Sequence, residues 1–192
     1  FVINIQPEQR VAVGELLAAG GVVAELSPMV RGRLLSIGGQ SVSAASYPAD
    51  ERAQRLVERE FNLSWRDELP VRNRVVAGRW FAPGERDVAS VEEGLARTLG
   101  IALGDELRFV IAGREVAMRV TSLRQLEWDS MRVNFFVLAP PGVLDYDPAS
   151  WITSFHLPAG KEALGRELVA RFPNLTVVDV GAILAQLQAV IE

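Results

Sequence analysis

The chain has 192 residues, 49% of them hydrophobic and 23% charged, with 20 basic and 24 acidic side chains and a net charge of −4. That balance argues against nucleic acid as a partner, because neutralising phosphates needs a clustered basic surface, whereas here the arginines are scattered and Lys161 is the only lysine. There is no cysteine, which removes thiol nucleophiles, zinc fingers and disulfide frameworks together and leaves the compartment open.

A globule of this length buries roughly 70% of the surface of its unfolded chain and needs no covalent staples. No apolar run approaches the ~18 residues of a membrane span, and no signal peptide is present. The sequence opens at Phe1 within a strand-like pattern and closes at Glu192 within a helix-like one, as a segment of a larger protein would.

Phe1 to Ile5 is short, apolar and β-prone, and Pro7 suits the first turn of a helix, where its missing N–H costs nothing. Val11, Val13, Leu16 and Leu17 give that helix an apolar face, and Gly20-Gly21 ends it. Val22 to Leu26 and Val30 to Ile37 read as strand around Pro28. Tyr47 to Glu60 is a charged helical stretch, and Phe61 to Trp65 and Arg74 to Phe81 are strand patterns.

Ser90-Val91-Glu92-Glu93 has the form of a capping box, which predicts a helix through Leu95 and Leu99 that stops at Gly100. Leu107, Phe109 and Ile111 then alternate with their neighbours, the Ala112-Gly113-Arg114 corner follows, and Val116, Met118 and Val120 alternate again, so this stretch predicts a hairpin. Val120 to Leu123 and Arg132 to Leu138 are further strand patterns, before a loop through Pro140-Pro141-Gly142 and Asp145-Tyr146-Asp147-Pro148.

Trp151 to Leu157 repeats the opening scheme of strand, proline, helix, turn and strand. The helix runs through Ala163, Leu164 and Leu168, the turn is Pro173-Asn174, and Leu175 to Val180 is the last strand. Ala182 to Ile191 has a helical period. Two such βαβ halves predict an α+β, ferredoxin-like (split βαβ) sandwich from residues 1–38 and 140–192, with residues 39–139 as a β-rich insertion.

Few residues suit chemistry. His156 is the only histidine, sits between Phe155 and Leu157, and has no partner that would make a triad. Gly39-Gln40-Ser41-Val42-Ser43 lacks the second glycine of a nucleophile elbow. Phosphate-loop and dinucleotide glycine patterns are absent, so the sequence implies no cofactor and no ATPase activity of its own. Asp145 and Asp147 read as turn residues rather than metal ligands. Asn62-Leu63-Ser64 and Asn174-Leu175-Thr176 match the glycosylation sequon, a triplet that also arises by chance.

What remains is aromatic. Trp65, Trp80, Trp128, Phe135 and Phe136 all fall in the insertion. Such rings usually build a core. Alternatively they offer an apolar surface to a lipid-like molecule or a partner protein. Trp128, in the polar stretch Glu127-Trp128-Asp129-Ser130, is the best exception to burial, and the candidate contact residues are Trp128, Phe135 and Phe136.

Leu95-Ala96, Leu99-Gly100, Gly104-Asp105, Leu107 and the Ile111-Ala112-Gly113 hairpin through Val116 to Ser122 resemble the extracytoplasmic domain of MacB/FtsX-type ABC transporter permeases. Asn73-Arg74-Val75-Val76-Ala77-Gly78-Arg79-Trp80 and Trp128 through Phe136 look like the YbbP-like branch. Ile152-Thr153-Ser154-Phe155 and Phe172-Pro173-Asn174-Leu175-Thr176 look like the same branch. The resemblance implies a non-enzymatic domain between two membrane helices, facing the periplasm from the inner membrane. It also implies a porter-like α/β part and an inserted Sabre-like lobe. A separate ATPase subunit, a periplasmic partner such as a thioesterase, and hydrophobic cargo of lipid or lipoprotein class belong to the same implication. It carries over no catalytic residue. The competing readings are a substrate-binding or scaffold module of another membrane protein and a carboxylate-dependent hydrolase, which two carboxylates of raised pKa in one cleft would favour.

Overall fold

A computed structural model describes residues 1–127 and 132–180. In chain order the strands and helices are β1 (Val2–Ile5), α1 (Arg10–Ala19), β2 (Ser27–Ile37), β3 (Gln40–Ser41), α2 (Glu51–Glu58), β4 (Glu60–Trp65), β5 (Asn73–Gly78) and β6 (Val88–Glu92). They continue as α3 (Glu93–Leu99), β7 (Glu106–Ile111), β8 (Arg114–Leu126), β9 (Val137–Ala139), β10 (Ser150–Thr153), α4 (Ala163–Arg171) and β11 (Thr176–Val177). The protein is mixed α/β and divides into two compact units.

Among the described residues the first unit comprises Phe1–Pro28, residues 132–133 and residues 150–180. Its central strand, β1, pairs antiparallel with β10 on one side and with β11 on the other. Val2 and Ile5 of β1 meet Val13, Leu16 and Leu17 of α1 and Leu164 and Leu168 of α4 in one apolar cluster. Between Val2 and Ile5 the register slips, and Asn4 there adopts φ 69°, a left-handed conformation that asparagine tolerates better than most residues. Its amide donates to the Asn174 carbonyl at 3.0 Å and the Asn174 amide returns to the Asn4 carbonyl at 2.9 Å, which holds the bulge against the turn before β11. Lys161 caps the end of α1 by donating to the Gly20 carbonyl at 2.6 Å.

The second unit comprises residues 29–127 and Asn134–Ala149. Six of its strands close on themselves in a ring. β2 pairs with β4, β4 with β9, β9 with β6, β6 with β8, β8 with β7, and β7 again with β2. Closure works because β2 is long enough to carry β4 along Val30–Arg33 and β7 along its far half. Closing a sheet leaves the ring strands without free edges. One core cluster draws on all six strands, through Leu34, Leu63, Phe109, Met118, Val91 and Val137. The same cluster takes in Ala53 and Val57 from α2 and Leu95 and Leu99 from α3. Gly32 is needed on β2, since a β-carbon there would lie 2.8 Å from Ile111 Cγ1 and 3.2 Å from Leu63 Cδ1.

Several sequence expectations are corrected by these partners. Residues 22–26 form no strand, and β2 starts at Ser27. From Met29 onward β2 pairs with β4 and β7 in the second unit. The expected helix start at Ser90 is strand, because β6 runs to Glu92 and pairs on both sides. Glu92 is the cap instead, its carboxylate accepting from the Gly94 N–H at 2.8 Å and the Leu95 N–H at 2.7 Å. Gly100 does end α3 in the left-handed conformation, with φ 77°. The hairpin is as expected, with Ala112 and Gly113 both at positive φ and β8 extended to a single strand of 13 residues. Strand structure within 132–138 is confined to β9, and β10 ends at Thr153, which leaves His156 exposed beyond it. The helical period of 182–191 lies outside the described residues.

Candidate functional site

Of the three aromatic residues singled out by sequence, Trp128 lies outside the described residues. Phe135 is buried, with 7% of its surface exposed, and Phe136 is half-buried against the main core of the second unit. Both belong to the segment Asn134–Phe136 that leads into β9, and that segment is tied to a polar cluster around Arg124.

Arg124 on β8 has no exposed surface, although an arginine is almost never buried without partners. Its Nε donates to Ser90 Oγ at 2.8 Å and its Nη1 to Asn73 Oδ1 at 2.7 Å. Its Nη2 reaches the carbonyls of Phe135 at 2.9 Å and Phe136 at 3.1 Å. Ser122 adds a hydroxyl bond to Ser90 Oγ at 2.6 Å. One guanidinium thus joins β5, β6 and the Asn134–Phe136 segment. Burial pulls its pKa down to about 10, with Glu92 acting in the opposite sense, so the group stays cationic at neutral pH.

A second feature lies along β8 and the loop before β10. An open groove of about 570 Å³ is lined by Asp87, Glu106, Glu115, Arg119 and Tyr146, among others. Its wall is firmly held. Arg114 grips Asp147 with both ends of its guanidinium, at 3.1 and 2.7 Å, and Asp145 accepts from the Gly142 N–H at 2.7 Å. Between the two anchored aspartates Tyr146 stands 76% exposed. The sequence marked Asp145 and Asp147 as turn residues and passed over the tyrosine between them. An aromatic flanked by two side-chain-anchored turn formers was the available signal.

Trp80 donates its indole N–H to the Asp67 carbonyl at 3.0 Å and stacks on Phe81 at 4.2 Å between centroids. Next to it Arg79 makes two hydrogen bonds to Glu85, at 2.8 and 2.5 Å, and that contact pulls the Glu85 carboxyl from 4.5 to about 2. A carboxyl with a lowered folded-state pKa adds stability above its unfolded value, and the gain is lost as pH falls through the folded one. Arg79→Gln is therefore expected to lower the urea midpoint at pH 6. The difference from wild type should shrink below about pH 4.5 and vanish near pH 2, and a constant gap across that range would refute the pairing.

The Glu162 carboxyl is also shifted down, by hydrogen bonds from backbone N–H groups. Among the described residues no three His, Cys, Asp or Glu side chains gather as a metal site, and no helix is long and apolar enough to cross a membrane.

Fold and site together define a mixed α/β domain with a closed strand ring, a buried arginine cluster and an open polar groove. By sequence it is a homologue of a segment of an ABC transporter permease. Over 187 residues, 97% of this chain, it is 40% identical to the uncharacterized ABC transporter permease YbbP of Escherichia coli (strain K12), of which the chain spans 22% of the length. No family model matches the chain. A solved domain of a permease protein from Porphyromonas gingivalis covers 81% of this chain and 76% of its own at 14% identity and a TM-score of 0.40, a likeness too distant to carry an argument.

Proposed function

We propose that the chain is a non-enzymatic, periplasm-facing domain of an ABC transporter permease. It passes motion of membrane helices, driven by a separate ATPase subunit, to cargo or a partner outside the inner membrane. The observation that carries this reading is the 40% identity across nearly the whole chain to a permease. Cargo of hydrophobic, lipid or lipoprotein class and a periplasmic partner such as a thioesterase are parts of the same proposal, as are the contact residues Trp128, Phe135 and Phe136.

In this reading the first unit is the porter-like, ferredoxin-like part. Its antiparallel strand order β11–β1–β10, with α1 and α4 in the same core, supports that assignment. The ring unit is the Sabre-like lobe. Phe1 and Val178 exchange backbone hydrogen bonds at 2.9 and 2.8 Å, which extends the β1–β11 pairing by one residue on each strand.

The test uses the missing cysteines. Val23 is 99% exposed, and Val23→Cys in an otherwise cysteine-free full-length permease gives one reporter thiol. A membrane-impermeant maleimide should label it in spheroplasts before lysis. Labelling only after lysis would place the domain in the cytoplasm and end the proposal.

A further inference from the structure

The geometry points to Arg124 as a positioning residue: its guanidinium fixes the path of the Asn134–Phe136 segment, and with it how far the Phe135 and Phe136 rings are presented. Three observations carry this. First, Nη2 of Arg124 donates to backbone carbonyls of the segment, those of Phe135 and Phe136, so the contact constrains the chain path itself rather than one side chain. Secondly, the other end of the guanidinium is fixed from two strands, by Asn73 Oδ1 on β5 and Ser90 Oγ on β6, and Ser90 is steadied in turn by Ser122. Thirdly, among the described residues every hydrogen-bond acceptor of Arg124 is neutral. A buried cation is costly to desolvate, and neutral acceptors answer that cost less well than a carboxylate would. Among the described residues the segment has a further tie to β6, the Glu92 N–H donating to the Phe136 carbonyl at 2.8 Å. The Phe136 carbonyl therefore keeps its bond from Glu92 when Arg124 is removed, whereas the Phe135 carbonyl loses the guanidinium that holds it.

Only the role of the two rings as contact residues rests on the proposed function. The positioning role stands on the geometry of the second unit, and failure of the thiol-labelling test would leave it untouched.

Hydrogen exchange on the 192-residue chain tests it, comparing wild type with Arg124→Met, which keeps an unbranched apolar stem and removes the donors. Amides of residues 134–138 should accelerate at least about tenfold more than those of the β7–β8 hairpin, as for a local opening released by a lost charge-assisted bond. A dye that reports exposed apolar surface should gain fluorescence in parallel. Equal acceleration of both regions would make Arg124 a general stabiliser, and no acceleration would make it irrelevant to the segment. Either result overturns the inference. If the variant does not fold, the wild-type protein still decides. A guanidinium held by these acceptors gives separate, slowly exchanging Arg124 Nη–H signals by NMR, and averaged signals exchanging like those of surface arginines would refute the role.

Discussion

Gly78→Ala is expected to destabilise the protein by about 3 kcal/mol or more, which places it in the tail of single substitutions. Gly78 ends β5 at φ 73°, and a β-carbon there would stand 2.1 Å from the Thr121 carbonyl oxygen, far inside contact distance. The obstacle is backbone and has nowhere to go. That oxygen already accepts the Arg79 N–H at 3.0 Å, and Thr121 lies at the register slip of β8 opposite β6. Relief therefore requires β5 to lift from β8, which would also disturb Asn73 and its bond to Arg124. Gly39→Ala is the internal control. Gly39 has φ 82° but nothing within 4 Å of an added β-carbon, so only conformational strain of about 1 kcal/mol applies. Urea denaturation of the two variants separates steric clash from strain, and equal losses would refute the crowding at Thr121.

The same region shows why part of the fold was legible in the sequence and part was not. The β7–β8 hairpin could be read because its information is local: alternation in Leu107, Phe109 and Ile111, and a turn whose second residue is glycine. The start of α3 could not be read correctly, because Ser90 and Glu92 are both plausible caps. The choice between them was made by β8 and β9, which pair with β6 from either side. Ring closure was invisible for a similar reason. It depends on β2 carrying two partners in succession, a fact about residues far apart in sequence. The candidate site was less legible still. An arginine in a strand pattern reads as a solvent-facing residue, and nothing near Arg124 in sequence announces that Asn73, Ser90 and the Phe135 carbonyl converge on it.

Phe109→Ala is expected to cost about 3–5 kcal/mol, the range for removing a large aromatic from a packed interior. Phe109 is 1% exposed on β7, the strand that closes the ring by pairing with both β2 and β8. It packs edge-to-face with Phe61 on β4, at 6.2 Å between centroids and 82° between planes, a contact that spans from one ring strand to another with β2 between them. Phe61→Ala should be costly too, and the double variant distinguishes two accounts of the pair. If the rings interact specifically, the double loss falls short of the sum by about 0.5–1.5 kcal/mol, the excess an aromatic pair contributes beyond its buried area. If each ring merely fills volume, the losses add. A second consequence separates core from surface. The groove wall is held by Arg114 and Asp147 next to the β7–β8 turn, so loosening β7 should also raise the mobility of Tyr146, which the Arg79→Gln variant should leave unchanged. Fluorescence anisotropy of a dye attached through Tyr146→Cys, the one thiol in a chain without cysteine, read as the difference between these two backgrounds, would show whether ring closure sets the rigidity of this exposed position. No difference would confine the effect of Phe109 to the core.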